Sequence, residues 1–81
     1  MDPYQTCMRA FVLIKCEVDG VLSAVEKMEA IEDVIRVDAV TGKYDAVTEI
    51  EASDTDELRN VVAGEIHSID GVAETTTCIA T

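Results

Sequence analysis

Two strand-like runs separated by a short glycine-containing break constrain the fold of this chain more than any other feature. Apolar and polar residues alternate at period two over residues 34–40 and again over residues 44–52, which is typical of strands with one buried face. Between the runs, Thr41-Gly42-Lys43 supplies a glycine that can adopt the positive φ of a hairpin turn. The pattern therefore predicts a β-hairpin in the middle of the chain.

The segment before the hairpin is typical of a strand followed by a helix. Alternation predicts a strand over residues 9–18, with one wholly apolar face formed by Ala10, Val12, Ile14, Cys16 and Val18. Asp19 then either caps a helix or ends the strand. A helix is predicted over residues 21–30, with a buried stripe at Val21, Leu22, Val25, Met28 and Ile31.

The segment after the hairpin is typical of a helix followed by a strand. Asp54 with Glu57 three residues later matches a capping box and predicts a helix that runs to about residue 68. Its buried stripe would consist of Leu58, Val61, Val62, Ile66 and Ile69. The last strand is predicted over residues 72–81, which are rich in β-branched side chains.

The predicted order βαββαβ indicates an α+β, ferredoxin-like fold, in which a four-stranded antiparallel sheet carries both helices on one face. We assign residues 9–81 to this domain and interpret residues 1–8 as an N-terminal extension or a cloning remnant. Phe11 and Leu13 point to the sheet face without helices, where they would meet water in a single subunit. With only 81 residues available to build a core, we expect this face to form a dimer interface.

Charge and hydropathy exclude several functional classes. Seventeen acidic against six basic residues give a net charge of −11, which argues against direct contact with nucleic acid because phosphates need clustered Lys and Arg. No stretch approaches the roughly 20 apolar residues of a membrane span, and the N-terminus lacks the pattern of a secretory signal. We therefore expect an acidic, cytoplasmic protein without membrane contact.

Metal and cofactor chemistry has few candidate residues. The three cysteines, Cys7, Cys16 and Cys78, are odd in number and form no C-x-x-C pair, which argues against a disulfide framework or a zinc cluster. We interpret Cys16 and Cys78 as small buried hydrophobic residues. His67, the only histidine, is interpreted as a solvated residue near a helix end, so no metal and no cofactor are expected.

Three stretches of the sequence match the pattern of a known family: Ala10 to Ile14; Val34, followed by Val40-Thr41-Gly42-Lys43-Tyr44-Asp45; and Ile69-Asp70-Gly71-Val72 leading into Thr75-Thr76-Thr77. With them, residues 9–81 resemble the C-terminal effector domain of the Lrp/AsnC transcription regulators, also called the RAM domain. The resemblance implies a dimeric α/β barrel type of assembly, in which two sheets pack face to face. It also implies rings of dimers, such as an octamer or decamer, with small effectors, usually amino acids, bound between dimers.

The resemblance further implies a ligand-binding site lined by Gly42, Tyr44 and Asp45 and by the threonines Thr75, Thr76 and Thr77. An amino acid needs an acceptor for its ammonium group, which Asp45 could supply, and donors for its carboxylate, which the backbone N–H groups of the turn could supply. The residues alone leave other interpretations open. Tyr44 could fill an interface, Asp45 could bond its own backbone, and the threonines could follow from strand propensity.

The family's DNA-binding half has no counterpart in these residues, so we expect a stand-alone effector domain that acts as a non-enzymatic sensor. Its expected partners are a small-molecule effector and further copies of itself, with a full-length Lrp/AsnC-type regulator as a further candidate. Two alternatives remain: a small cofactor-free enzyme of the dimeric α/β barrel type, and a purely structural oligomerisation module. Glu49 and Glu51 could form an acid–base pair, but an exposed or subunit-facing strand is the simpler interpretation, and no catalytic residue is assigned.

Overall fold

A computed structural model describes residues 8–80 and contains the predicted order of elements. The predicted extension over residues 1–8 lies outside the described residues except for Met8, which is the first residue of β1. The elements are β1 (Met8–Cys16), α1 (Val21–Glu29), β2 (Val34–Ala39), β3 (Ala46–Ala52), α2 (Thr55–Asn60), a π-helical segment (Val61–Ile66) and β4 (Val72–Ile79).

The strands form one antiparallel sheet in the order β2-β3-β1-β4. The inner face of this sheet is the one that both helices cover, and it holds the core: Ala10, Val12, Ile14, Val37, Ala46, Ile50 and Ala52 from the strands, packed against Ala24, Met28, Leu58, Val61 and Ile66 from the helices. The outer face carries Arg9, Phe11, Leu13 and Lys15 of β1. The predicted ferredoxin-like fold is therefore confirmed.

Thr48 is a polar residue placed within this core. It is fully buried on the inner face of β3, and its hydroxyl donates to the sulfur of Met28 at 3.3 Å. A thioether is a weak acceptor, yet the contact satisfies the only donor of the side chain. The hydrogen bond joins α1 to the middle of the sheet.

The capping box at the start of α2 is confirmed. The Asp54 carboxylate accepts from the Glu57 backbone N–H at 2.8 Å, and the Glu57 carboxylate accepts from the Ser53 N–H at 2.7 Å. These two bonds satisfy N–H groups that a helix start leaves without partners.

The rest of the second helix departs from the prediction, because α-helical winding ends at Asn60. The chain continues as a π-helix in which the His67 N–H donates to the Val62 carbonyl five residues earlier, at 2.8 Å. Val61 and Ile66 are both buried and are also five residues apart. The wider π turn therefore keeps both side chains in the core, which an α-helical turn over the same residues would not do.

The end of β1 also differs from the prediction. Val18 and Leu22, predicted on apolar buried faces, are 92% and 78% exposed. The strand ends at Cys16 after a register shift, and Asp19 takes a left-handed conformation with φ 68° that turns the chain away from the sheet. Asp19 therefore ends the strand and does not cap α1, and Ala24 takes the buried position.

The predicted assignment of β2 side chains to the two sheet faces is wrong at Ile35, because the strand contains a bulge. Its register against β3 shifts between Val34 and Arg36, so Ile35 is 51% exposed although it was predicted to share a face with Val37. A bulge inserts one residue into one strand and thereby reverses the side of its neighbours. Val34 instead packs against the core.

Two glycines allow close packing where β1 meets α1 and where the second helix meets β4. Gly71 has φ +100°, and a Cβ there would lie 3.2 Å from the Gly20 carbonyl oxygen. Beside this contact, the Glu17 N–H donates to the Gly71 carbonyl at 2.7 Å. The two connections therefore pack backbone against backbone, which a side chain at Gly71 would prevent.

Candidate functional site

The β2–β3 loop, residues 40–45, is longer than the predicted tight turn. The strands end at Ala39 and restart at Ala46, and the loop is closed by a hydrogen bond from the Val40 N–H to the Asp45 carbonyl at 2.9 Å. Gly42 has φ +135°, a conformation that L side chains rarely adopt, and its position borders open space. The glycine is therefore needed for the backbone conformation and leaves the tip of the loop open.

Asp45 attaches this loop to the end of β1. Its carboxylate accepts from the Cys16 N–H at 2.8 Å, and its own N–H donates to the Ile14 carbonyl at 2.8 Å. Burial, followed by the negative charge of Asp45, raises the pKa of the Cys16 thiol above its ordinary value. The half-buried carboxylate thus has a structural partner in β1, and this bond differs from the bond to its own backbone that the sequence left open as an alternative.

Two of the six basic residues lie beside the same loop. Lys15 donates from Nζ to the Lys43 carbonyl at 3.4 Å. The Nζ of Lys43 lies 5.9 Å from the centre of the Tyr44 ring, within the range of a cation–π contact. Within residues 8–80, neither lysine forms an ion pair. The loop and the end of β1 therefore present two exposed lysine side chains on the same side of the chain as the partly buried Asp45.

The structure does not bring the predicted threonines to this loop within one chain. Thr75 and Thr77 lie opposite Ile14 and Val12 and point to the inner face, whereas Thr76 lies opposite Leu13 and points to the outer face. β1 runs between β4 and β3, so the loop and the threonines are separated by two strand spacings, about 10 Å. Within one chain, the structure therefore does not group the loop residues with the threonines.

The outer face contains a partly covered apolar strip, which we define as Phe11, Leu13 and Val47. All three side chains are half-buried in the single chain. The Arg9 guanidinium lies 5.6 Å from the Phe11 ring centre and 3.6 Å from the Glu49 carboxylate. Charged side chains thus surround an apolar centre, as in many protein interfaces.

The prediction for Cys78, which lies on the outer face, is wrong. Cys78 was predicted as a small buried residue, but it is exposed on β4, opposite Phe11. β4 is an edge strand of the sheet. Cys16, by contrast, is partly buried and packs against the core.

A groove that we did not predict lies between the second helix and β4. It has a volume of about 220 Å³ and is lined by Thr55, Leu58, Arg59, Val62, Ala63, Thr77 and Ile79. The helical members follow the spacing of one helix face, next to the buried stripe. The sequence contained one signal for this groove, which is the small size of Ala63 and Thr77. Neither side chain is large enough to fill the space between the second helix and β4.

Catalytic and metal-binding groups are sparse in the described structure. Among residues 8–80, no three His, Cys, Asp or Glu side chains are grouped so that they could hold a metal ion. His67 is exposed beyond the π-helical segment, and Glu49 pairs with Arg9. No helix in the same range has the length and apolarity needed to cross a membrane.

Comparison with known proteins identifies a family. Residues 9–81 match the model of the Lrp/AsnC ligand binding domain. The crystal structure of TTHA0845 from Thermus thermophilus is 36% identical, with a TM-score of 0.87 over 91% of this chain and 92% of that chain. Escherichia coli AsnC is 25% identical, with a TM-score of 0.85 over 94% of this chain and 51% of that chain.

Two further proteins extend the comparison. The HTH-type transcriptional regulator PH1916 of Pyrococcus horikoshii is 30% identical over 74 aligned positions, and the alignment covers 88% of this chain and 49% of that protein. The chain thus spans about half the length of this curated relative. The regulator NMB0573 of Neisseria meningitidis, solved as a complex with L-Met, has a TM-score of 0.87 at 16% identity over all of this chain and 55% of that one. The last likeness is one of fold.

Proposed function

Because the chain belongs to the Lrp/AsnC ligand-binding domain family, in which this domain has an effector-binding, regulatory role, we propose that it is a sensor for a free amino acid. The chemistry of the β2–β3 loop supports this class of effector. Asp45 can accept from an ammonium group, while Lys15 and Lys43 can receive a carboxylate. The complex of NMB0573 with L-Met indicates that the fold accommodates an amino acid in that protein.

The observation that supports this function most strongly is the position of the loop relative to β4. In one chain, β1 separates Gly42, Tyr44 and Asp45 from the three threonines. We propose that a second copy supplies the missing half, so that Thr75, Thr76 or Thr77 of one subunit approaches the loop of another. Effector binding at such an interface would stabilise the assembly by mass action.

The proposed assembly begins with a dimer through the outer face. Phe11 and Leu13, together with Val47, form an apolar strip that α1 and α2 do not cover. Packing two such strips against each other removes them from water and leaves the charged rim exposed. Four or five dimers then form an octameric or decameric ring, with effector sites between dimers.

We propose a non-enzymatic role because the groove between the second helix and β4 is not lined by acid–base groups. An enzyme of the dimeric α/β barrel type needs a titratable side chain in a pocket between its sheet and helices. The only charged residue lining the groove is Arg59, and an arginine does not exchange protons at neutral pH.

The sensor would act on transcription without itself contacting DNA. A net charge of −11 disfavours contact with phosphates. Its relatives include transcriptional regulators, which supports a cytoplasmic location and a full-length regulator of the same family as a further partner.

The direct test is a thermal-shift screen of the twenty amino acids, combined with light scattering. A sensor shows a concentration-dependent rise in Tm with one or a few amino acids, together with a change in the mass of the assembly. A flat response to all twenty contradicts amino-acid sensing and favours a structural oligomerisation module.

A further inference from the structure

The groove between the second helix and β4 lies apart from the β2–β3 loop, because Ile79 in the groove pairs with Ala10 near the start of β1, whereas the loop joins β3 at Ala46, which pairs with Ile14 near the end of β1. Thr77 and Ile79 point to the inner face of β4 next to the helix, and Ile79 remains 44% exposed. Leu58 and Val62 form the opposite wall, so the space of about 220 Å³ has apolar sides. Small-molecule sites are typically pockets with apolar walls and a few polar groups.

Arg59 gives this groove a charge preference. It is the only charged residue of the lining, and within residues 8–80 its guanidinium forms no ion pair although the chain has 17 acidic residues. Thr77 adds a hydroxyl group to the same lining, whereas the Thr55 hydroxyl donates to the sulfur of Met8 at 3.6 Å. A guanidinium binds a carboxylate with two parallel hydrogen bonds, and hydroxyls can donate to the same anion.

We infer that this groove is a second ligand site, which binds a small aliphatic monocarboxylate with its chain against Leu58, Val62 and Ile79 and its carboxylate on Arg59. The size supports a short ligand, since an apolar cavity of about 150 Å³ accommodates benzene. The single cation matches a single negative charge, and the acidic chain as a whole repels polyanions. The site goes beyond the proposed amino-acid sensor, because it uses neither Asp45 nor the loop lysines.

The π-helical segment provides an independent reason to assign a role to this groove. Val62 and Ala63 lie in the segment and also line the groove. π-helical turns are uncommon, and they occur frequently at functional sites. Ala63 presents only a methyl group to the groove and thereby leaves the space open.

The test uses 4-methylvalerate as the probe and methyl NMR spectra of the full chain. Binding shifts the methyl signals of Leu58, Val62 and Ile79 and leaves that of Val47 on the outer face unchanged. The uncharged analogue 4-methylvaleramide binds at least tenfold more weakly, because it lacks the charge that Arg59 recognises.

Variants separate the contributions of charge and space. Arg59→Gln weakens binding of the probe about tenfold, whereas Arg36→Gln, which removes a cation from the outer face, leaves it unchanged. Ala63→Phe fills the groove and abolishes binding, and an unchanged circular dichroism spectrum shows that it folds. Since Arg59→Gln changes only an exposed side chain, it keeps the test valid even where Ala63→Phe fails to fold.

Three results would overturn the assignment: no shift at the groove methyls up to the solubility limit of the probe, shifts confined to the β2–β3 loop, or equal binding by wild type and Arg59→Gln. The amino-acid response at the loop is a separate readout. Asp45→Asn removes that response and leaves binding of 4-methylvalerate intact, so the failure of one proposal is distinguishable from the failure of the other.

Discussion

Replacement of Asp45 separates a structural role from a ligand-binding role at the same carboxylate. The structure shows that this carboxylate accepts the Cys16 N–H at 2.8 Å in a partly buried position. Asp45→Ala leaves that N–H without its acceptor, which costs about 1–2 kcal/mol for a half-buried donor. For a domain of this size, each kcal/mol lowers Tm by about 4–8 °C, so we expect a loss of about 4–16 °C.

Asp45→Asn is the matched control, because asparagine retains a carbonyl oxygen that can accept the same hydrogen bond but carries no charge. We expect it to cost about 0.5–1 kcal/mol, which is the difference between a charged and a neutral acceptor. If the carboxylate binds the ammonium group of an effector, the rise in Tm with that effector disappears in both variants. Differential scanning fluorimetry with and without the effector measures both quantities.

Two outcomes would refute this reasoning. If Asp45→Ala melts at the wild-type temperature, the hydrogen bond to β1 does not stabilise the loop. If Asp45→Asn keeps the full wild-type response to the effector, the negative charge does not bind the ammonium group, and Asp45 is only a structural residue.

Three further predictions follow from the described contacts. Gly71→Ala destabilises the fold by about 1–3 kcal/mol in urea unfolding, because a Cβ at φ +100° meets the Gly20 carbonyl at 3.2 Å. In the control, Gly64→Ala, the added Cβ meets nothing within 4 Å, and the variant is stabilised by about 0.5–1 kcal/mol. A Gly71→Ala variant that is more stable than Gly64→Ala would contradict the packing described. Asp54→Ala removes the cap of α2 and lowers the free energy of unfolding by about 1 kcal/mol, whereas an unchanged midpoint in urea would argue against the cap. The pKa of the Cys16 thiol is raised by burial and by Asp45, so its alkylation by iodoacetamide, followed by peptide mass spectrometry, should reach half its maximal rate at a higher pH than that of an exposed cysteine in a short peptide. Asp45→Asn should lower this midpoint, and a midpoint above that of the wild type would contradict the sign.

The sheet was predictable because alternation at period two follows directly from strand geometry. The faces of β3 and of β1 as far as Cys16 were assigned correctly from that pattern, and the Asp54 capping box was recognised from its spacing. Local insertions were not predictable. The bulge that exposes Ile35 and the left-handed Asp19 that exposes Val18 each depend on how neighbouring elements pack, and periodicity alone contains no such information.

The candidate site was predictable only in part. The resemblance pointed to the β2–β3 loop, but the bond from Cys16 to Asp45 and the approach of Lys15 to Lys43 join residues almost thirty positions apart. Pairings of this kind depend on strand register. The π-helical segment was not predictable, because Val61 and Ile66 also fit the α-helical stripe that the sequence indicates.

The central claim is that the strip of Phe11, Leu13 and Val47 packs against a second copy, and light scattering on dilute protein tests it most directly. We predict a mass that is an even multiple of the 8.8 kDa chain, with Leu13→Glu reducing the protein to single chains. Leu22→Glu, the same change at a residue that is 78% exposed, should retain at least the dimer. A wild-type protein that is folded and has the mass of one chain would contradict the account.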